Sequence, residues 1–158
     1  MSSFAQQSEA IGLMAAHEAA VAELYGAYAK RVPQYEKLFL LLQEEEVRHA
    51  RLLADFVEKV RDGAVRVRPE CFRSRDILAS LDHLREHLRK AREGEVSAIE
   101  ALSTAVDLES DLIEKRWFEI VETDDPELLR LLQTLAADQM AHGERLRLEY
   151  ERARHAGS

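Results

Sequence analysis

Cysteine is almost missing from this chain: Cys71 is the only one in 158 residues. A single thiol cannot close a disulfide within the chain and cannot complete a CxxC pair for a metal or a redox couple. Glycine (6) and proline (3) are nearly as scarce, which disfavours an architecture of many short turns and points to long, uninterrupted elements. No run of about 18 uncharged apolar residues occurs, so no membrane span is expected. The opening "MSSFAQQSEAIG" has no basic stretch leading into an apolar run, so no secretory signal is read there. Positive charge is in deficit as well. Lys and Arg number 22 against 30 Asp and Glu, a formal net charge of −8. Such a surface repels phosphate backbones and argues against a nucleic-acid partner. The expectation is a soluble, cytoplasmic protein with neither nucleic acid nor membrane among its partners.

What fills the chain instead is Ala, Leu, Glu and Arg, all strong helix formers. The hydrophobic fraction is 46% and the charged fraction 33%, a globular composition, and the length suits a single domain over 1–158. A helical pattern runs from about Ala5 to Arg31, with Ile11, Ala15, Glu18, Ala22, Tyr25 and Ala29 on one stripe; Pro33 biases Val32 out of the helix and ends it. A second runs from about Gln34 until Asp62-Gly63, on the stripe Tyr35, Phe39, Leu42, Glu46, His49, Leu53, Phe56, Val60. "GAVRVRPECFRS" reads as a loop whose β-branched alternation is too brief for a sheet. A shorter amphipathic piece, Ile77 to about Arg92, carries Leu78, Leu81, Leu84 and Leu88, and Gly94 interrupts it. A third long helix is expected from Glu95 to about Glu122, on Leu102, Ala105, Glu109, Leu112, Arg116 and Ile120. "TDDPE" has acidic caps and a first-turn proline, and starts a fourth helix to about Arg154, on Leu128, Leu132, Leu135, Gln139, His142 and Leu146. Short links within each pair and one long link between the pairs, bearing an extra short helix, give an all-α, ferritin-like four-helix bundle. The hairpins at about 5–61 and 95–154 look like one unit used twice.

Each expected hairpin carries a lone Glu on its first apolar stripe and a His on its second. Glu18, Glu46 with His49, Glu109, and Gln139 with His142 stand where leucine would serve packing better. An isolated buried carboxylate costs several kcal/mol or takes up a proton. Six polar residues in corresponding places need a common partner, and a metal supplies it. Glu46 and His49, three apart, share one helical face, and carboxylate plus imidazole suits iron or manganese, with zinc also able to use it. A Glu from each of two helices plus Glu-x-x-His from each of the other two is the general pattern of carboxylate-bridged metal pairs in such bundles.

"HEAAVAELYGAYA" with "LQEEEVRHARLL", and "AVDLESDLIEKRWFEIV" with "LLQTLAADQMAHGERL", resemble the two hairpins of rubrerythrin-family proteins over about residues 5–150. The resemblance implies two iron ions per chain and metal-centred redox chemistry with dioxygen or peroxide, of the peroxidase or ferroxidase type. It implies Glu18 and Glu109 as terminal carboxylates, Glu46 as a bridge, and His49 and His142 as one ligand each. Gln139 stands where the family has a second bridging Glu, although ferritin oxidation centres also use a Gln on the fourth helix. Asp138, one turn before His142, is a nearby alternative carboxylate. Arg116 stands where the repeat would match Tyr25. The family's rubredoxin-type site needs two CxxC pairs and is not encoded here, so electrons would come from an external donor protein or from the iron being oxidised. A metal-poor or single-metal bundle serving binding or assembly is the alternative. A homodimer is the expected assembly. Tyr25 and Tyr28 are read as core tyrosines with bonded hydroxyls, Tyr25 within reach of a ligand carboxylate. His83 and His87 read as an exposed pair, Cys71 as an incidental loop thiol, and "EEE" at 44–46 as a solvated face with only Glu46 turned inward.

Overall fold

The computed structural model describes residues 4–59, 65–67, 74–110 and 121–156. Helix α1 (Phe4–Arg31) ends where Val32, at φ −124° and ψ 78°, leaves the helical conformation before Pro33, and a 3-10 turn leads into α2 (Glu36–Lys59). Strand β1 (Val65–Val67) precedes the crossover helix α3 (Ser74–Arg92), followed by α4 (Ala98–Glu109), strand β2 (Val121–Thr123) and α5 (Pro126–Ala156). The expected ferritin-like bundle with a helix in its long crossover is present. No helix among the described residues is long and apolar enough to cross a membrane.

The element ends follow local chemistry. Gly94, at φ +81°, adopts the left-handed conformation that closes α3. Gly94 N–H donates to Ala91 O and Glu95 N–H to Lys90 O, the paired bonds of a glycine C-terminal cap. Ser97 then caps α4 through a reciprocal box with Glu100. Asp125 Oδ1 accepts from the backbone N–H of Glu127 and of Leu128 at the start of α5, with Pro126 in its first turn. The Arg31 guanidinium donates to the carbonyls of Ala91 and Arg92, tying the end of α1 to the end of α3. The Gln43 side chain of α2 folds over Gly26 of α1, where an added Cβ would lie 2.3 Å from its Nε2.

Three expectations are corrected. Val65–Val67, read as loop, pairs antiparallel with Val121–Thr123, in the register Val65 to Thr123 and Val67 to Val121. The third helix was expected to reach Glu122, but Val121–Thr123 is that partner strand. Both segments are rich in β-branched residues, and each finds its partner far along the chain. On α3 the inward residue is Ile77 and not Leu78, which is 49% exposed. The set Ile77, Leu81, Leu84, Leu88 alternates steps of four and three and follows the helical period, whereas 78, 81, 84 drifts off it. The stripe positions Val60, Leu112, Arg116 and Ile120, and Cys71, lie outside the described residues.

The core is divided. One apolar cluster joins Val21, Leu24, Tyr25, Tyr28, Phe39 and Leu42 to Leu102, Ala105 and Leu146. The other joins Ile11, Met14, Leu53 and Phe56 to Leu128, Leu132 and Leu135. On α1, α2 and α5 the polar stripe residues fall between the two clusters, as a charged layer between apolar ones.

Candidate metal centre

Four helices supply that layer. Glu18 comes from α1, Glu46 and His49 from α2, Glu109 from α4 and His142 from α5, and all five are buried. The helical period puts each on the face that its leucine neighbours also bury, so the packing that forms the core also drives these groups together. They form two triads, Glu18–Glu46–His49 and Glu46–Glu109–His142, each offering donor atoms within 4.8 Å of one another. Glu46 belongs to both. His49 Nδ1 lies 3.6 Å from Glu46 Oε2, and His142 Nδ1 lies 3.3 Å from Glu46 Oε1 and 3.8 Å from Glu109 Oε1. The two rings lie 6.0 Å apart between centroids, inclined by 22°.

The donor set fits a metal. Glu46 Oε2, Glu109 Oε2 and His142 Nδ1 are buried with no hydrogen-bond partner, although buried polar atoms are normally satisfied. Three carboxylates and two imidazole nitrogens face one small volume, and a cation there would engage atoms that the protein leaves open.

The rubrerythrin family model matches residues 9–150, most of the chain. This chain belongs to the rubrerythrin family. Searches of curated proteins and of solved structures returned no match. Family membership and the two triads together support a ferritin-like protein with a site for a pair of metal ions.

The electrostatics of this rubrerythrin-family site are those of carboxylates crowded away from water. Burial, then the neighbouring Glu46 charge, pushes Glu109 from its ordinary 4.5 up to about 8, against opposing help from His142 and Tyr25. Burial and Glu46 hold Glu18 well above its usual range. Burial also raises Glu46, which gains some relief from hydrogen bonding to Glu18 and Glu109. In each case desolvation leads and like charge adds to it, the condition that a bound cation reverses.

A second ring of groups seats the first. Tyr25 Oη donates to Glu109 Oε1 at 2.7 Å, so Tyr25, seven residues after Glu18 on α1, serves a carboxylate of the other hairpin. His49 Nε2 lies 2.8 Å from Asp138 Oδ2, and His142 Nε2 contacts Glu45 Oε2. With Nε2–H donating outward, each Nδ1 lone pair points at the Glu46 layer. The arrangement is reciprocal: α2 offers His49 and the acid for His142, and α5 offers His142 and the acid for His49. Arg48 also reaches Asp138, at 3.2 Å.

Sequence reasoning missed Glu45, read as part of a solvated face, and treated Asp138 only as a stand-in ligand. The overlooked signal was a shared offset, since both acids stand four residues before a stripe histidine. Gln139 is half-buried and lines a pocket beside Glu109; it belongs to neither acid–imidazole triad. His83 and His87 meet each other at 3.0 Å between Nε2 atoms, away from the layer, His83 exposed and His87 half-buried. Arg116, which stands where the repeat would match Tyr25, lies outside the described residues, and Glu109 has Tyr25 and His142 as neighbours.

Proposed function

We propose that this chain binds two iron ions in the layer between its apolar clusters and uses them to reduce peroxide or dioxygen, with manganese or zinc able to occupy the same positions. The observation that carries the reading is that Glu46 is common to two buried Glu–His triads, the placement required of a carboxylate shared by two cations. Glu18 and His49 would hold one ion, Glu109 and His142 the other, and Glu46 both, with Gln139 near the second.

The metal pair would supply two one-electron steps at one location. The chain's own contribution is positional and electrostatic. Buried leucine, phenylalanine and tyrosine around the layer limit water and strengthen each charge interaction. Tyr25 holds Glu109 and can return a proton to its Oε1, and Asp138 and Glu45 fix the tautomers of His49 and His142. Electrons come from an external donor or from the iron itself; the working assembly is taken as a homodimer in the cytoplasm.

Metal analysis after anaerobic iron loading tests this. About two irons per chain, falling in His49→Ala, is the expected result; fewer than about one, unchanged by that substitution, overturns it. One observation favours a second reading, a metal-poor bundle used for binding or assembly: the neutral Gln139 leaves only three carboxylates in the triads. That reading requires a melting temperature indifferent to chelator, whereas a bound pair stabilises the native state.

A further inference from the structure

The crossover helix α3 carries two histidines that the acid–imidazole layer does not use. His83 and His87 stand four residues apart near the middle of Ser74–Arg92, one turn above the other on the same face. Their Nε2 atoms converge to 3.0 Å, with the rings 4.5 Å apart between centroids and inclined by 84°. With one tautomer the contact is a hydrogen bond between the rings. With both protons on Nδ1, two Nε2 lone pairs converge on one region, as imidazoles do around a metal ion. Two histidines at this spacing on one helical face are a known chelating arrangement. The distance also speaks to the ion. Metal–imidazole bonds are about 2.0–2.1 Å long, so nitrogens 3.0 Å apart subtend about 95° at a shared ion. That is narrower than a tetrahedral ion requires and close to the right angle of octahedral and tetragonal ones.

We propose that His83 and His87 form a second, solvent-facing metal site that chelates one late first-row divalent ion of octahedral or tetragonal preference, nickel(II) or copper(II), across one turn of α3. The site shares no residue with the bundle layer, and the proposal does not depend on the redox reading. An ion held by the first imidazole meets the second at high effective concentration, and late first-row ions bind nitrogen ligands most strongly. Burial comes first in holding His87 below its usual range, His83 and Lys90 add to it, and Glu86 and Asp107 oppose it. The His87 lone pair is therefore available near neutral pH. The nearby acids divide into engaged and available. Asp82 accepts from Arg85, and Glu86 from Arg89. Asp107, exposed on α4, is near enough for its charge to act on His87. Among the described residues no carboxylate completes a triad with the two rings. Asp107 thus serves as a neighbouring countercharge, and water fills the remaining coordination positions. Arg89 braces the helix beneath the pair by bridging Glu86 and Glu93, so little ordering is needed when an ion binds.

Nickel(II) alone, titrated into the full-length chain as purified, provides the test, read by calorimetry and by paramagnetic broadening of imidazole resonances. Saturable binding of a single ion is expected, with broadening centred on His83 and His87. Its affinity should fall by more than about tenfold in His83→Gln and equally in His87→Gln, since each removes half of the chelate. Both positions are solvent-facing, and helicity should be unchanged in both variants. His49→Ala, a substitution in the buried layer, should leave this binding as it is. Nickel should raise the melting temperature of wild type and leave that of both glutamine variants unmoved. Absence of saturable broadening at these two residues, or equal affinity in wild type and both glutamine variants, overturns the proposal. Loss in only one of the two variants reduces the site to a single-imidazole contact and overturns the chelate. Loss in His49→Ala places the ion in the bundle layer and overturns it as well. Zinc binding tighter than nickel overturns the assignment of the ion.

Discussion

Glu109 meets three demands on one side chain. It is buried, it faces the Glu46 charge, and it accepts a 2.7 Å hydrogen bond from Tyr25. The bond favours the ionised form while the other two oppose it. Tyr25→Phe should therefore raise the Glu109 pKa further and weaken metal binding about tenfold at pH 7, the scale of a lost outer hydrogen bond; competition with a chromophoric chelator measures it. Asp138→Asn should cost about 10- to 100-fold in affinity for the ion at His49, because the amide no longer enforces the Nε2–H tautomer. If Asp138→Asn binds metal as wild type does, the carboxylate's tautomer-setting role is wrong. Legibility at this scale was uneven. Glu18, Glu46, His49, Glu109 and His142 announced themselves as polar residues on apolar stripes. Glu45 sits beside a stripe, and only the docking of α5 against α2 gives it a buried partner.

Among the elements, the long helices were readable because each buries one face at the helical period and carries explicit stops. Pro33, Gly94 and the Asp125-Pro126 start are local chemistry and needed no tertiary context. The β1–β2 ribbon was not readable, since each strand has three residues and its stabilising partner lies in the other half of the chain. The same distinction predicts which helix substitutions help. Gly12 is mid-helix and exposed, and a Cβ there meets nothing within 4 Å. Gly12→Ala should stabilise the protein by about 0.5–1 kcal/mol, and Gly26→Ala should gain less, because the amide end of the half-buried Gln43 side chain must swing aside to admit the methyl. Asp125→Ala should cost about 1 kcal/mol by freeing two first-turn N–H groups of α5. Urea unfolding of the three variants at fixed metal content gives the order.

For the molecule as a whole, the acid layer makes stability depend on pH in opposite senses with and without metal. In the metal-free protein Glu109 has a folded value of about 8 against an ordinary 4.5, and Glu18 and Glu46 are raised too. A raised folded pKa contributes stability that is fully present below the unfolded value and is lost as pH climbs through the folded one. Chelator-treated protein should thus melt several degrees lower at pH 8 than at pH 5. Metal binding releases those protons, so the stabilisation conferred by added metal should grow over the same interval. Thermal melts at both pH values, with chelator and with metal, check both slopes. A metal-free melting temperature that rises with pH would contradict the protonated layer. The crossed seating of His49 on Asp138 and His142 on Glu45 also bears on biosynthesis. A ribosome emits the first hairpin long before residue 138, so for that interval His49 lacks the acid that orients it. The nascent half-protein is thereby a poor trap for stray cations, and competence to load arrives only once the last helix has been translated and docked.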